Sequence, residues 1–169
     1  MRSGQILVIG IVAATAMFGA GVWYTQTRAW YVQLEDAPIV MTRHDGEEEA
    51  LLVDSFDGID AETSPLRYRA CFEPTMSLPT LTETFQPYGP ATPLNAPGWF
   101  SCFDADAIGE ALESGSALAF LGQQNQPYGF DIVVTVFDTG QGYAWRQINH
   151  CGTAAFGGDP LPPGCPEPP

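Results

Sequence analysis

The chain has 169 residues, of which 45% are hydrophobic and 15% charged, enough apolar material for one folded domain plus a tether or tail. Twenty acidic residues stand against six arginines and no lysine, a net charge of -14. Such a field repels phosphate backbones and anionic lipid surfaces, which argues against a nucleic-acid partner. The missing lysine excludes a Walker-type phosphate loop, a Schiff-base enzyme and a lysine general base.

Residues 6–24, "ILVIGIVAATAMFGAGVWY", carry no charge and, as a helix, span roughly 30 Å, the hydrocarbon thickness of a bilayer. Trp23 and Tyr24 close the run as an aromatic belt does at a membrane surface. Arg2 and the amino terminus flank one side and Arg28 the other, a small vote for residues 1–5 lying in the cytoplasm. A cleaved signal peptide is the rival reading, with Ala14 and Ala16 forming a small-residue cleavage site. The apolar run continues through Met17 and Phe18, longer than secretion needs, so an uncleaved anchor is favoured over both that reading and a buried soluble helix. The pair Trp30–Tyr31 repeats Trp23–Tyr24 seven residues on, close to two helical turns. This predicts a helical stalk over residues 25–37, stopping before Pro38, with Trp30 and Tyr31 as an interfacial feature or a candidate partner surface.

Residues 38–158 are predicted to hold the folded domain. "PIVMTR" and "EALLVDSF" read as short strands flanking an acidic turn, and "PLRYRACF" as a strand. Its period-two pattern sets Leu66, Tyr68 and Ala70 against Arg67, Arg69 and Cys71 on the other face. "SLPTLTETF" is a short helix capped by Ser77 or Thr80. "DADAIGEALESG" is a stronger one, capped by Asp104 or Asp106, striped by Ala107, Ile108, Ala111 and Leu112, and ended by Gly115. "ALAFL" is a strand too apolar for an exposed edge, and "DIVVTVFDTGQGYAWRQIN" is a hairpin turning over residues 138–142. Strands, then helix, then a tight hairpin predict an α+β domain: a mainly antiparallel sheet with one or two packed helices. Residues 86–100 carry four prolines and form a long loop ending in Trp99 and Phe100, which either pin it down or face a partner. Residues 159–169 form a proline-rich, extended tail.

All four cysteines follow the apolar segment, and none is in a CxxC pair. An even count in an exported domain favours two disulfides out of three possible connectivities. Cys151 with Cys165 is the first choice, a short loop whose closure is worth roughly 3 kcal/mol in the chain-entropy model and which secures the tail. Cys71 with Cys102 then remains. If "RQINHC" continues the hairpin strand, His150 and Cys151 point to opposite faces, which weighs against a thiolate pair or a metal site there.

"DSFDGIDAE" clusters Asp54, Asp57, Asp60 and Glu62 around Gly58, weak candidates for calcium without the EF-hand spacing. No GxSxG or HExxH signature is present, and the GxG at Gly140 and Gly142 lies in a hairpin turn. The residues therefore nominate no catalytic group and no cofactor.

The phrases "FDGIDAETSPLRYRACF", "MSLPTLTETF", "PLNAPGWFSCFDADAIGEALESGSALAFLGQQN" and "YAWRQINHCG" resemble an uncharacterised family of short alphaproteobacterial proteins with one N-terminal span. The likeness runs over nearly the whole chain. Some members carry an automatic "histidine kinase" label, which this sequence opposes: such a kinase needs a dimerisation helix with a phospho-acceptor and a separate ATP lid domain. The expectation is a single-pass inner-membrane protein, anchored by residues 6–24, with a periplasmic α+β domain acting as an accessory or protein-interaction module for a membrane or envelope partner. A small-ligand or calcium-binding sensor is the alternative, and an exported hydrolase comes third.

Overall fold

A computed structural model describes residues 3–169 and divides the chain into two compact units, Met1–Tyr31 and Val32–Pro169. Arg2, invoked above for orientation, lies outside the described residues. In the first unit, helix α1 (Ser3–Thr27) runs for 25 residues with no buried residue and apolar side chains on every face. It is long and apolar enough to cross a membrane. Thr15, Thr25 and Thr27 donate their hydroxyls back to the carbonyls of Ile11, Val22 and Trp23, at 2.9, 3.0 and 2.7 Å, so the helix satisfies its own polar groups.

The predicted helical stalk over residues 25–37 does not form. Arg28 and Ala29 both donate their amides to the carbonyl of Tyr24, at 2.9 and 3.1 Å, and the helix closes there. Val32–Leu34 is instead strand β1, paired antiparallel with β4 (Val53–Asp60). Leu34 packs against the core of the second unit, a burial that an isolated stalk helix does not offer. Trp30 and Tyr31 therefore lie in a turn and not on the helical face of Trp23 and Tyr24.

In the second unit, a six-stranded antiparallel sheet has the order β1-β4-β5-β8-β7-β6, with β5 at Arg69–Pro74, β6 at Ala117–Leu121, β7 at Phe130–Phe137 and β8 at Gly142–Ile148. A separate hairpin pairs β2 (Ile39–Thr42) with β3 (Glu48–Leu51). The class is α+β, as expected. Register places Ala70 opposite Ala144, Val134 opposite Ala144 and Phe120 opposite Val134, so one sheet face is continuous from β5 to β6. This face forms the core with Ile39, Met41 and Leu51 of the hairpin and with Leu81 and Phe85 around helix α2 (Leu78–Thr84).

The opposite face is covered too. It carries Arg69, Trp145 and Val133 in one cross-strand row. The proline-rich loop after α2 lies over it, with Phe103 edge-on to Trp145 and Tyr143 at 6.2 and 5.9 Å. Arg69 lies on the face opposite Tyr68 and Ala70, as its period-two pattern predicts, and is only 4% exposed there. Its guanidinium donates to the carbonyls of Leu66, Tyr68, Leu94 and Asn95 at 2.6–3.0 Å and stacks over Phe103 at 5.5 Å. Residues 65–67 of the predicted strand are a 3-10 turn, because Pro65 carries no amide to give to a sheet.

Helix α3 (Ala105–Ser114) begins where the loop ends. Asp104 caps it by accepting the amides of Asp106 and Ala107, both at 3.1 Å, and Gly115 closes it at φ 78°. Ile108 and Ala111 of the predicted stripe are buried and Leu112 half-buried, while Ala105 takes the place of the exposed Ala107. Strand β6 ends the sheet, but as a covered edge, in keeping with its apolar sequence. Tyr88 donates its amide to the carbonyl of Ala119, and Leu121 donates to that of Gln86, at 2.8 and 2.9 Å.

Replacing Arg69 by Met leaves the buried loop carbonyls without donors. The Arg69→Met variant should lose roughly 3 kcal/mol of stability, read from the urea midpoint of the domain. An unchanged midpoint would contradict the pinning role.

Candidate functional site

The second strand of the hairpin reads from the sequence as far as Asn149, with a continuation through Cys151 left open. It stops at Ile148, and helix α4 (His150–Gly157) takes over. Asn149 makes this switch: its Oδ1 accepts the amide of Gly152 at 2.8 Å, an N-cap the strand reading overlooked. Its Nδ2 donates to Asp131 Oδ1 at 2.6 Å and Asn125 Oδ1 at 2.9 Å, tying the helix start to β7. Close backbone approach completes the junction, since a Cβ on Gly152 would stand 2.2 Å from the carbonyl oxygen of Gly129.

These contacts build a pocket of about 290 Å³, whose walls include Tyr88, Leu121, Asp131, Gln147, His150 and Thr153. Asp131 is 4% exposed and accepts Tyr88 Oη at 3.0 Å and the amide of Asn125 at 3.0 Å as well as Asn149. Gln147 accepts the amide of Thr92 at 2.8 Å and Trp145 Nε1 at 3.1 Å, and donates to the carbonyl of Pro90 at 2.8 Å. Burial, and then the Asp131 charge and hydrogen bond, push the Tyr88 phenol above its ordinary range. Tyr88 is a neutral donor committed to Asp131. The pocket thus offers hydrogen-bonding walls and an exposed imidazole at its rim, and its acidic group is already saturated with donors.

Asp131, Tyr88, Gln147 and Asn149 were not singled out from the sequence. The available signal was Asp131 itself, an ionisable residue in phase with Val133 and Thr135 on an otherwise apolar strand.

The predicted site residues are placed as follows. Asp54, Asp57 and Asp60 lie along β4 and Glu62 follows it, so they are strung out on an extended strand and not gathered in a turn. Asp60 is engaged by Arg146, at 2.9 and 3.1 Å, and Asp57 accepts Gln33 Nε2 at 3.3 Å. The acidic cluster does not form a calcium cage because neighbouring carboxylates face opposite sides of the sheet. Phe100 is buried and Trp99 half-buried with its ring edge-on to Phe100, so Phe100 packs into the domain while Trp99 keeps part of its surface open. Trp30 is exposed and Tyr31 half-buried.

Both expected disulfides are present, Cys71–Cys102 and Cys151–Cys165. The first ties β5 to the loop before α3; the second ties α4 to the tail. His150 heads α4 and brings Nε2 to 3.5 Å from Cys151 Sγ, where a strand would have separated them.

A profile of a family of unknown function, DUF6446, matches residues 39–166. No curated protein and no solved structure matches the chain.

Burial raises the phenol pKa of Tyr68, Tyr88 and Tyr143 above the ordinary tyrosine range. The folded state then holds protons that the unfolded chain releases, so stability is intact below about pH 10 and falls as pH rises beyond it. Tyrosinate absorbance should show Tyr68, Tyr88 and Tyr143 ionising at higher pH in the folded domain than in urea-unfolded chain, assigned with Tyr→Phe variants. Coincident folded and unfolded titrations of these three would refute the placement.

Proposed function

The chain belongs to the DUF6446 family of unknown function, and from that premise we propose that it is a membrane-anchored accessory or protein-interaction module of the bacterial envelope. In this reading α1 is an uncleaved single-pass anchor in the inner membrane, of the kind found in short alphaproteobacterial proteins. The disulfide-closed domain lies in the periplasm, and it acts by holding a membrane or envelope partner, without a reaction of its own.

The observation that carries the reading is the contrast between the two units. An apolar helix of 25 residues buries none of them within its own unit, and a bilayer would account for that hydrophobic surface. The second unit is closed by two disulfides, which persist in an oxidising compartment. The net charge of -14 keeps the domain from anionic headgroups and nucleic acid and suits a partner with a basic or neutral face. A histidine-kinase assignment does not fit, since an antiparallel sheet with short helices offers neither a dimerisation helix hairpin nor an ATP lid.

The pocket beside Asp131 favours a second reading, a sensor domain for a small polar ligand. Calcium is not carried forward, given the dispersal of the acidic cluster.

Crosslinking in intact membranes should capture neighbours through α1 or the exposed Trp30 region. A reporter that matures only in an oxidising space, fused after Pro169, should be active, and alkylation of the native protein should find no free thiol. An inactive reporter together with four alkylated cysteines would remove the basis of the envelope reading. A thermal shift with a small polar metabolite, lost on Tyr88→Phe, would favour the sensor instead.

A further inference from the structure

We propose that His150, Cys151 and Cys165 form a zinc site that the Cys151–Cys165 disulfide holds closed and that a dithiol reductant opens. Their donor atoms all lie within 4.8 Å of one another, and no other group of three such side chains comes together among the described residues.

The geometry is close to what the ion requires. Zinc–sulfur and zinc–nitrogen bonds of about 2.3 and 2.0–2.1 Å at a tetrahedral angle set sulfur and nitrogen roughly 3.5 Å apart. His150 Nε2 and Cys151 Sγ stand at 3.5 Å. Only the Cys165 sulfur has to move, from a covalent bond to a tetrahedral edge of about 3.8 Å. It can do so because it sits in the extended tail, outside any helix or strand, with Tyr128 Oη to the carbonyl of Pro166 at 2.9 Å as a nearby tie. The Cys151 backbone, by contrast, is held rigidly by the Asn149 cap and the Gly152–Gly129 contact.

Charge favours the same outcome. Cys151 is in the first turn of α4, where the helix dipole and free amides favour a thiolate, and His150 is exposed to solvent beside it. The other disulfide has no histidine within ligand range.

The steps balance. A thiolate of the reductant attacks one sulfur of the bridge, and the second sulfur leaves as a thiolate. The reductant's other thiol then resolves the mixed disulfide, so the reductant is oxidised to its own disulfide and the chain gains two electrons and two protons. Zinc binding displaces those two protons, and neutral His150 supplies the third ligand. The fourth position is left to water, as in zinc sites that bind exchangeable ligands. The proposal is independent of the anchor reading: it concerns the domain alone and holds whichever partner the module engages.

The test uses the full-length chain in detergent, reduced with a phosphine and titrated with Zn2+ against a chromophoric chelator. One zinc should bind per reduced chain and none per unreduced chain. Cys151→Ser and Cys165→Ser should each abolish the site, while Cys71→Ser/Cys102→Ser should retain it. His150→Ala, an exposed position that leaves the fold intact, should weaken binding at least tenfold. Co2+ in place of zinc should give thiolate-to-metal absorption that His150→Ala shifts. Zinc bound equally tightly by His150→Ala, or lost with the Cys71–Cys102 pair instead, would overturn the proposal. So would a reduced domain that takes up no zinc, folded or not.

Discussion

A charge in the middle of a sheet has to be answered with acceptors, and the way Arg69 is answered organises one half of this domain. Its guanidinium lies on β5, the third strand of the six-stranded sheet, and takes four carbonyls, of which Leu94 and Asn95 come from the loop after α2. Leaving a buried guanidinium unpaired costs several kcal/mol, so that loop is held against the sheet whatever its own lack of regular structure. Once it is held, Phe103 reaches the rings of Tyr143 and Trp145, Cys102 reaches Cys71, and Asp104 is positioned to start α3. Arg69 and Cys71, two residues apart on one strand, therefore share a face and anchor the same loop twice.

The other organising point is the junction of β8 and α4. Asn149 spends one end of its amide on the helix and the other on Asp131, and Gly152 lets the helix approach the backbone of Gly129. That single turn closes the pocket beside Tyr88 and sets His150 next to the Cys151 sulfur. The polar pocket and the terminal disulfide are two sides of one structural element, since α4 lends His150 and Thr153 to the pocket and Cys151 to the bridge.

Local chemistry was readable from the residues. The hairpin of β7 and β8 and the caps at Asp104 and Gly115 follow from short-range patterns, and two disulfides follow from counting, with the pairing chosen by loop length. Reading failed where a residue's partner lies far along the chain. Val32 and Leu34 looked helical by continuity with α1, yet β4 claims them. The burial of Arg69 could not be read because two of its four acceptors sit 25 and 26 residues away. The acidic run 54–62 looked like a turn because its glycine drew attention, whereas β5 holds it in a strand. Asn149 passed as a strand residue because its cap is recognisable only once the strand is known to end.

By itself the sequence determined an apolar N-terminal helix over residues 6–24, the α+β class and a preference for two sulfur bridges, since hydrophobic length, periodicity and cysteine parity act over short range or as totals. Tertiary structure alone decided which charge is buried, which edge is covered, and that an aspartate, a tyrosine and a histidine from separate segments line one pocket. The physical reason is that burial and hydrogen-bond satisfaction are properties of the assembled sheet: a side chain's environment is set by whatever strand or loop comes to lie across it, and the chain near that residue does not encode it.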